Sequence, residues 1–270
     1  MTPIRILYIV AHPDDGEVYG GGTAALWSQA GHAVKFISVT DGRAGHHQLS
    51  GAALVDRRSQ ESVVAAQQLG VAYEILDNPD GQLEPTLYNR HRLIAKIREW
   101  QADVVITHRP NDYHPDHRYT SLLVQDAAYL VMVPNLVPEV PPLRKNPVFL
   151  YFADHFQKPT PFSPDIAVDI DTTYEQKLRA LHAHTSQFYE WLPWIEGRSE
   201  EVPDSEEERL DWLRQRWPSA VDERTREALK RWYGEEKGKA VQHAEAFEIC
   251  EYGHPPDVAD IKRLFPMVAE

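Results

Sequence analysis

His12, Asp14 and Asp15 close an apolar run, residues 4–11, that only Arg5 interrupts. Adjacent carboxylates repel each other. A divalent cation removes that cost by holding one of them, and it leaves the other free to act as a base. A lone His-x-x-Asp spacing offers too few ligands, so a further donor is needed. It is found in Thr107-His108-Arg109-Pro110-Asn111-Asp112-Tyr113-His114-Pro115-Asp116-His117, directly after a second apolar run, residues 103–107. Both stretches share one layout: an apolar strand, a His-Pro-Asp cluster, then a helix.

Strands that stop abruptly on polar side chains deliver them to their carboxyl ends, where open α/β sheets bind ligands. Residues 4–11 read as a buried parallel strand. The glycines 20–22 open a helix over 23–30, ended by Gly31, and a second strand follows over 33–40, completing a βαβ unit. After a polar loop (41–51) come a helix over 54–69 closed by Gly70 and a short strand over 72–76. Leu93, Ile94, Ile97 and Trp100 recur at helical spacing ahead of the 103–107 strand. Leu123, Ala127, Leu130 and Val131 mark another helix, starting at or near His117. Five prolines between Pro134 and Pro147 exclude regular structure there and predict a loop or flap. Strands follow over 148–153 and 166–170, then helices over 174–186, over 204–217 with Asp204 and Glu207 at capping-box positions, and from Asp222 to about Glu248. The expected fold is α/β: a Rossmann-like, mostly parallel sheet with helices on both faces and a helical C-terminal extension. Residues 1–190 would form the catalytic domain, with 191–270 packed on it.

The chain of 270 residues, 42% hydrophobic and 26% charged, is long enough to bury one sizeable core. A net charge of −13 with 28 Lys+Arg argues against nucleic-acid backbones and anionic membranes as partners. The single cysteine, Cys250, excludes an intramolecular disulfide and a thiolate metal cage. No apolar run reaches the roughly 18 residues that span a bilayer, and the N-terminus lacks a secretory pattern. The expectation is a cytoplasmic enzyme acting on a small molecule.

His12-Pro13-Asp14-Asp15 together with His114-Pro115-Asp116-His117 resembles the LmbE-like/PIG-L family of zinc-dependent N-acetylglucosaminyl de-N-acetylases. The resemblance continues in Arg58-x-x-Glu61 with Leu69-Gly70-Val71, in Asn78-Pro79-Asp80-Gly81 and in His184-Thr185-Ser186-Gln187. It covers residues 4 to 190. Thr40-Asp41-Gly42-Arg43-Ala44-Gly45 and Ser186-Gln187-Phe188 resemble in particular the bacterial and archaeal diacetylchitobiose-type deacetylases. Gly16 separates Glu17 from Asp15, so Glu17 receives no role. The resemblance implies removal of an N-acetyl group from an N-acetylglucosamine-type sugar, one Zn²⁺ per chain, and a homo-oligomer, trimeric or hexameric.

The residues support the same division of labour. His12, Asp15 and His117 form a mixed N/O set that leaves a position open for water, as catalytic zinc requires, whereas magnesium wants mostly oxygens. Asp14 is the general base. His114, one turn before His117, would stabilise the oxyanion as a protonated imidazole, and Asp116 would accept from an imidazole and orient it. Arg58 and Asp80 match family positions that hold sugar hydroxyls, although helix pairing of Arg58 and a plain turn at Asp80 explain them nearly as well.

Other residues read more plainly. His108 is the rival metal ligand. His46 and His47 read as surface histidines more readily than as pocket residues, His184 nearly as readily, and Trp191, Trp194 and Tyr189, which could stack on sugar rings, more readily as a core or subunit contact. The competing functions are another metal-dependent amidase or hydrolase acting on a non-sugar substrate, and a Rossmann-type nucleotide-binding protein. The second lacks G-x-G-x-x-G and places carboxylates where a pyrophosphate needs bare backbone.

Overall fold

The computed structural model describes residues 3–217 and 219–268. Strand β1 (Arg5–Val10) is buried at every position after Arg5, as an apolar run in the middle of a parallel sheet must be. It pairs in parallel with β2 (Ala33–Thr40) on one side and β4 (Val104–Thr107) on the other. With β3 (Ala72–Asn78), β5 (Val148–Phe152), β6 (Ile166–Asp169) and β7 (Ala244–Cys250), the sheet runs in the order β3-β2-β1-β4-β5-β7-β6. β7 is antiparallel to both of its neighbours, so the sheet is mixed but mostly parallel. The α/β Rossmann-like class holds.

Side chains alternate between two cores. Ile6, Tyr8 and Val10 face one core with Trp27, Leu69 and Leu178, which belong to α1 (Asp15–Gln29), α2 (Gly51–Leu69) and α5 (Tyr174–Ala183). Leu7 and Ile9 face the other, against Leu93, Ile97 and Leu123 of α3 (Leu87–Trp100) and α4 (Pro115–Leu130).

Three expectations about the helices are corrected. Residues 222–248 are not one helix: α8 (Glu223–Tyr233) and α9 (Glu235–Ala240) precede β7, which fills the sheet between β5 and β6. Helix-favouring Ala and Glu in β7 are overridden by burial in the sheet and by what Glu245 does there. The first helix also starts earlier than residue 23, at Asp15, and breaks at Gly20 (φ −151°). The glycines permit contact rather than a loop, since a Cβ on Gly20 would lie 2.6 Å from the Tyr8 ring and one on Gly22 2.8 Å from Ile170. The break strands backbone donors. Glu245 accepts from Gly22 N at 2.9 Å, Thr23 N at 2.7 Å and Thr23 Oγ1 at 2.6 Å, and it pairs with Lys177 Nζ at 2.8 Å.

Further along, Ser205 rather than Asp204 caps α7 (Glu206–Arg216). After α5 the chain winds as a π-helix over Ser186–Trp191 and continues into α6 (Leu192–Ile195), with Glu61 receiving Thr185 Oγ1, Ser186 N and Ser186 Oγ.

The proline-rich segment is anchored from beneath by Arg98. This buried guanidinium donates to the carbonyls of Leu130, Val131, Val133, Leu136, Val137 and Val140 at 2.8–3.0 Å. A cation at the end of α4 also suits the helix dipole. Arg98→Met leaves all of these acceptors unsatisfied, so the free energy of unfolding should fall by about 3 kcal/mol or more. Urea unfolding measures it, and an unchanged midpoint would show that the loop does not depend on Arg98.

Candidate active site

β1 and β4 are neighbours, and their connections leave toward opposite sides of the sheet, so a crevice opens beyond their carboxyl ends. Into it the β1–α1 turn places His12, Asp14 and Asp15, and the start of α4 places His114 and His117. His12 Nδ1 lies 3.1 Å from His117 Nε2. Asp15 Oδ2 is 3.4 Å from His12 Nδ1, and Asp15 Oδ1 is 3.5 Å from His117 Nε2. The three predicted ligands, far apart in sequence, therefore form one tight triangle.

The outer contacts of each ring suggest where its proton sits. His117 Nδ1 lies 3.1 Å from Asp112 Oδ1, which favours a proton on Nδ1 and a bare Nε2. His12 Nε2 faces Asp80 Oδ1 at 3.2 Å and Asp116 Oδ2 at 3.4 Å, which favours a bare Nδ1. Burial opposes a charge on His12, but Asp116, Asp15 and Asp80 outweigh it and raise its pKa well above the usual histidine value. Two bare lone pairs and a carboxylate pointing at one another repel unless a proton or a cation lies between them. The 3.1 Å between the two nitrogens suits two ligands of one zinc-type ion, Asp15 reaches them through different oxygens, and His114 also lies close enough to share an ion with His12 and His117. The donor set therefore fits a single zinc-type cation with a position left over.

Asp14 stands beside the triangle without belonging to it. Burial raises its carboxyl to about 6, against the pull of Arg58. Arg58 Nη2 is 3.2 Å from Asp14 Oδ1, and the same guanidinium donates to Pro13 O and Gly42 O. Arg58 is only 2% exposed and so braces the base and two loops as well as lining the cavity. Asp80 also lines the cavity; burial raises its pKa, but His12 and Arg58 bring it down to about 2, and Ala44 N donates to it at 3.3 Å.

The structure sharpens the sequence reading at two points and differs from it at one, the charge on His114. α4 begins at Pro115, two residues before His117, with His114 as its N-cap. His114 Nδ1 accepts from Asp116 N at 3.2 Å, and burial with the neighbouring His12 lowers its pKa, so it presents a neutral Nε2–H rather than a charged ring. Asp116 accepts from Gly81 N at 2.7 Å and Leu83 N at 3.3 Å and faces His12, so the carboxylate orients that ring and not His114. The rival His108 stacks on His117 at 4.1 Å and comes within 3.3 Å of Asp15, but its Nε2 accepts from Ala11 N at 3.0 Å. That lone pair is spent, and His108 does not line the cavity.

Sequence reasoning missed Asp112, whose signal was only a polar position in the second motif. It also passed over Glu17, which is fully buried with its carboxylate 3.2 Å from Nε2 of the equally buried His184. His46 is buried too, 2.8 Å from Glu190. The cavity above the triangle measures about 450 Å³, in the range of small-molecule sites. No residue of 134–147 lines it, which removes the proline-rich segment as a flap over the site.

A Rossmann-like sheet carrying a His-Asp-His triangle and a spare carboxylate at its switch point defines an enzyme with a candidate metal site. The family model described as PIG-L, GlcNAc-PI de-N-acetylase, matches residues 7–128. Over 207 residues the chain is 32% identical to the diacetylchitobiose deacetylase of Thermococcus kodakarensis, covering 71% of this chain and 74% of that one. The structure of N,N'-diacetylchitobiose deacetylase from Pyrococcus horikoshii superposes with a TM-score of 0.68 at 26% identity, over 92% of this chain and 84% of that one. A 4-oxalmesaconate hydratase of Pseudomonas putida is 26% identical over 70% of this chain and 77% of its own. The chain belongs to the PIG-L (LmbE-like) family of de-N-acetylases. Among the described residues no helix is long and apolar enough to cross a membrane.

Asp112→Ala removes the carboxylate 3.1 Å from His117 Nδ1 and should weaken the affinity for a metal at this candidate site about 10- to 100-fold, by analogy with other outer partners of metal-binding histidines. Competition with a chromogenic chelator measures it; unchanged affinity would mean that Asp112 does not orient the ring.

Proposed function

We propose that the chain hydrolyses the N-acetyl group of an N-acetylglucosamine-type sugar, releasing acetate and a free amine. The observation that carries this reading is the triangle of His12, Asp15 and His117 with Asp14 unbound beside it on the cavity floor. These three residues would hold one zinc ion, which when bound lowers the pKa of a water and polarises a carbonyl.

Asp14 accepts the proton of the water that attacks the acetyl carbonyl. A buried carboxylate near pKa 6 is a stronger base than an exposed one yet stays ionised at neutral pH. Arg58 keeps it aimed at the cavity floor. His114, fixed as N-cap, donates Nε2–H to the oxyanion of the tetrahedral intermediate. The proton held by Asp14 then passes to the nitrogen as the C–N bond breaks. Arg58 and Asp80, both lining the cavity, are the groups we assign to the sugar hydroxyls.

Hydration of an acidic substrate, the reaction named for one relative, finds no support in the site. Among the described residues lining the cavity Arg58 is the one Lys or Arg side chain, and it is already engaged by Asp14 and two carbonyls.

Asp14→Asn should keep its zinc by metal analysis and lose about 10²- to 10⁴-fold in kcat on N-acetylglucosamine, whereas Asp15→Ala or His117→Ala should lose the metal. Equal metal loss in all three variants would overturn the division of roles. In the wild type kcat/KM should fall as Asp14 takes up a proton. The added cation pulls its pKa down from about 6, so this acid limb lies at or below pH 6. A profile without an acid limb down to pH 4 would remove Asp14 as the base.

A further inference from the structure

We propose that Glu17 and His184 are positioning residues for this reaction, a role that rests on the de-N-acetylase reading above: their buried pair fixes the short turn that carries Asp14 and Asp15. Both side chains are fully buried, and neither lines the cavity. Glu17 Oε1 lies 3.2 Å from His184 Nε2. No well-directed hydrogen bond reaches either oxygen of Glu17 or either ring nitrogen of His184, so charge attraction is what joins them. Burial opposes a charge on His184, but Glu17, Asp14 and Glu61 outweigh it and raise its pKa above the usual histidine value, which favours an imidazolium beside the carboxylate.

The turn needs an anchor because α1 does not supply one. Its first residues, from Asp15 to Tyr19, are cut off from the body of the helix at Gly20, whose φ of −151° and ψ of 17° are not helical. Beyond the break, Gly22 N and Thr23 N are received by Glu245. Asp14, the N-cap, makes no side-chain hydrogen bond to its own helix, so capping does not hold its carboxylate in place. Of the two charged side chains in the turn, Asp15 lines the cavity, whereas Glu17 turns away from it and meets the residue that ends α5. The His184 carbonyl accepts from Gln187 N and Phe188 N at 3.0 Å, where the π-helical winding begins. That winding sets Gln187 and Trp191 on the cavity lining. The pair therefore joins the turn holding the base and one metal-site carboxylate to a wall of the same cavity.

A fully buried ion pair is weak support for a fold, since apolar side chains of similar volume often fill the same space as well or better. What apolar packing does not supply is attraction between two fixed points, and hence a direction. Direction matters at this turn, because a catalytic group displaced by about 1 Å can cost about 10²-fold in rate.

The test is the double variant Glu17→Met/His184→Leu, since either single change leaves a buried charge unpaired and weakens folding. Its urea midpoint should equal or exceed that of the wild type, while kcat on N-acetylglucosamine falls about 10- to 100-fold with KM unchanged. Zinc affinity, read by competition with a chromogenic chelator, should fall about 10-fold, because Asp15 rides on the same turn. A loss in either quantity with stability kept supports the proposal. A stable double variant with wild-type kcat and wild-type zinc affinity overturns it. So does a clear fall in the urea midpoint, which would make the pair a structural tie, and so does a rise in KM with kcat intact, which would place its effect on sugar binding. If the wild type turns over no N-acetylated sugar, the de-N-acetylase reading fails, and the zinc affinity of the double variant still decides whether the pair positions the turn.

Discussion

Two imidazole lone pairs and a carboxylate are held within 3.5 Å of one another at the meeting point of β1 and α4, and most of the surrounding structure serves to keep them there. Left to themselves the groups would separate, since each prefers water or a proton to its neighbours. They are kept in place from behind: Asp112 behind His117, Asp80 and Asp116 behind His12, and the backbone N–H groups of Gly81 and Leu83 behind Asp116. The carboxylates behind His12 and His117 favour a ring proton on the outer nitrogen, which leaves the inner lone pairs available to a cation. Unit charges about 4 Å apart at an effective dielectric near 20 interact by about 4 kcal/mol, so the Asp15 carboxylate would favour a cation between the two rings, less the cost of desolvating it.

The same economy of buried charge governs the rest of the molecule. Burial of an ionised group is tolerated only where its hydrogen-bonding capacity is met. Glu245 meets the backbone stranded at the break in α1, Arg98 gathers the carbonyls of the turn after α4, and Glu61 ties α2 to the winding that carries Trp191. Arg58 belongs to this set as well, because its fork serves Pro13, Gly42 and Asp14 together. An arginine that looks from its motif like a substrate contact is thereby also the strut of the base.

Much of the fold could be read directly. β1, β2 and β4 were legible because buried parallel strands are continuous apolar runs bounded by polar turns, and α2 because its apolar positions recur at helical spacing up to Gly70, whose φ of 70° suits glycine. β7 was not legible, since Ala-Glu-Ala-Phe-Glu favours helix locally and becomes a strand only where β5 and β6 leave a gap. The π-helical turn was hidden for a similar reason: its sequence reads as ordinary helix, and the extra residue shows only in the packing. In the site, His12, Asp15 and His117 could be proposed from side-chain type and spacing. His108 could be set aside only once Ala11 N was seen to occupy its lone pair.

The sequence by itself determined which chemical groups are available, in what order along the chain, and on the ends of which strands, because residue type and periodicity are local properties. Tertiary structure alone decided which nitrogen of each histidine faces inward, which carboxylate supports which ring, and that Glu17 and His184 are buried together. Those outcomes depend on directions and partners brought together by the sheet order, and spacing along a chain carries no record of them.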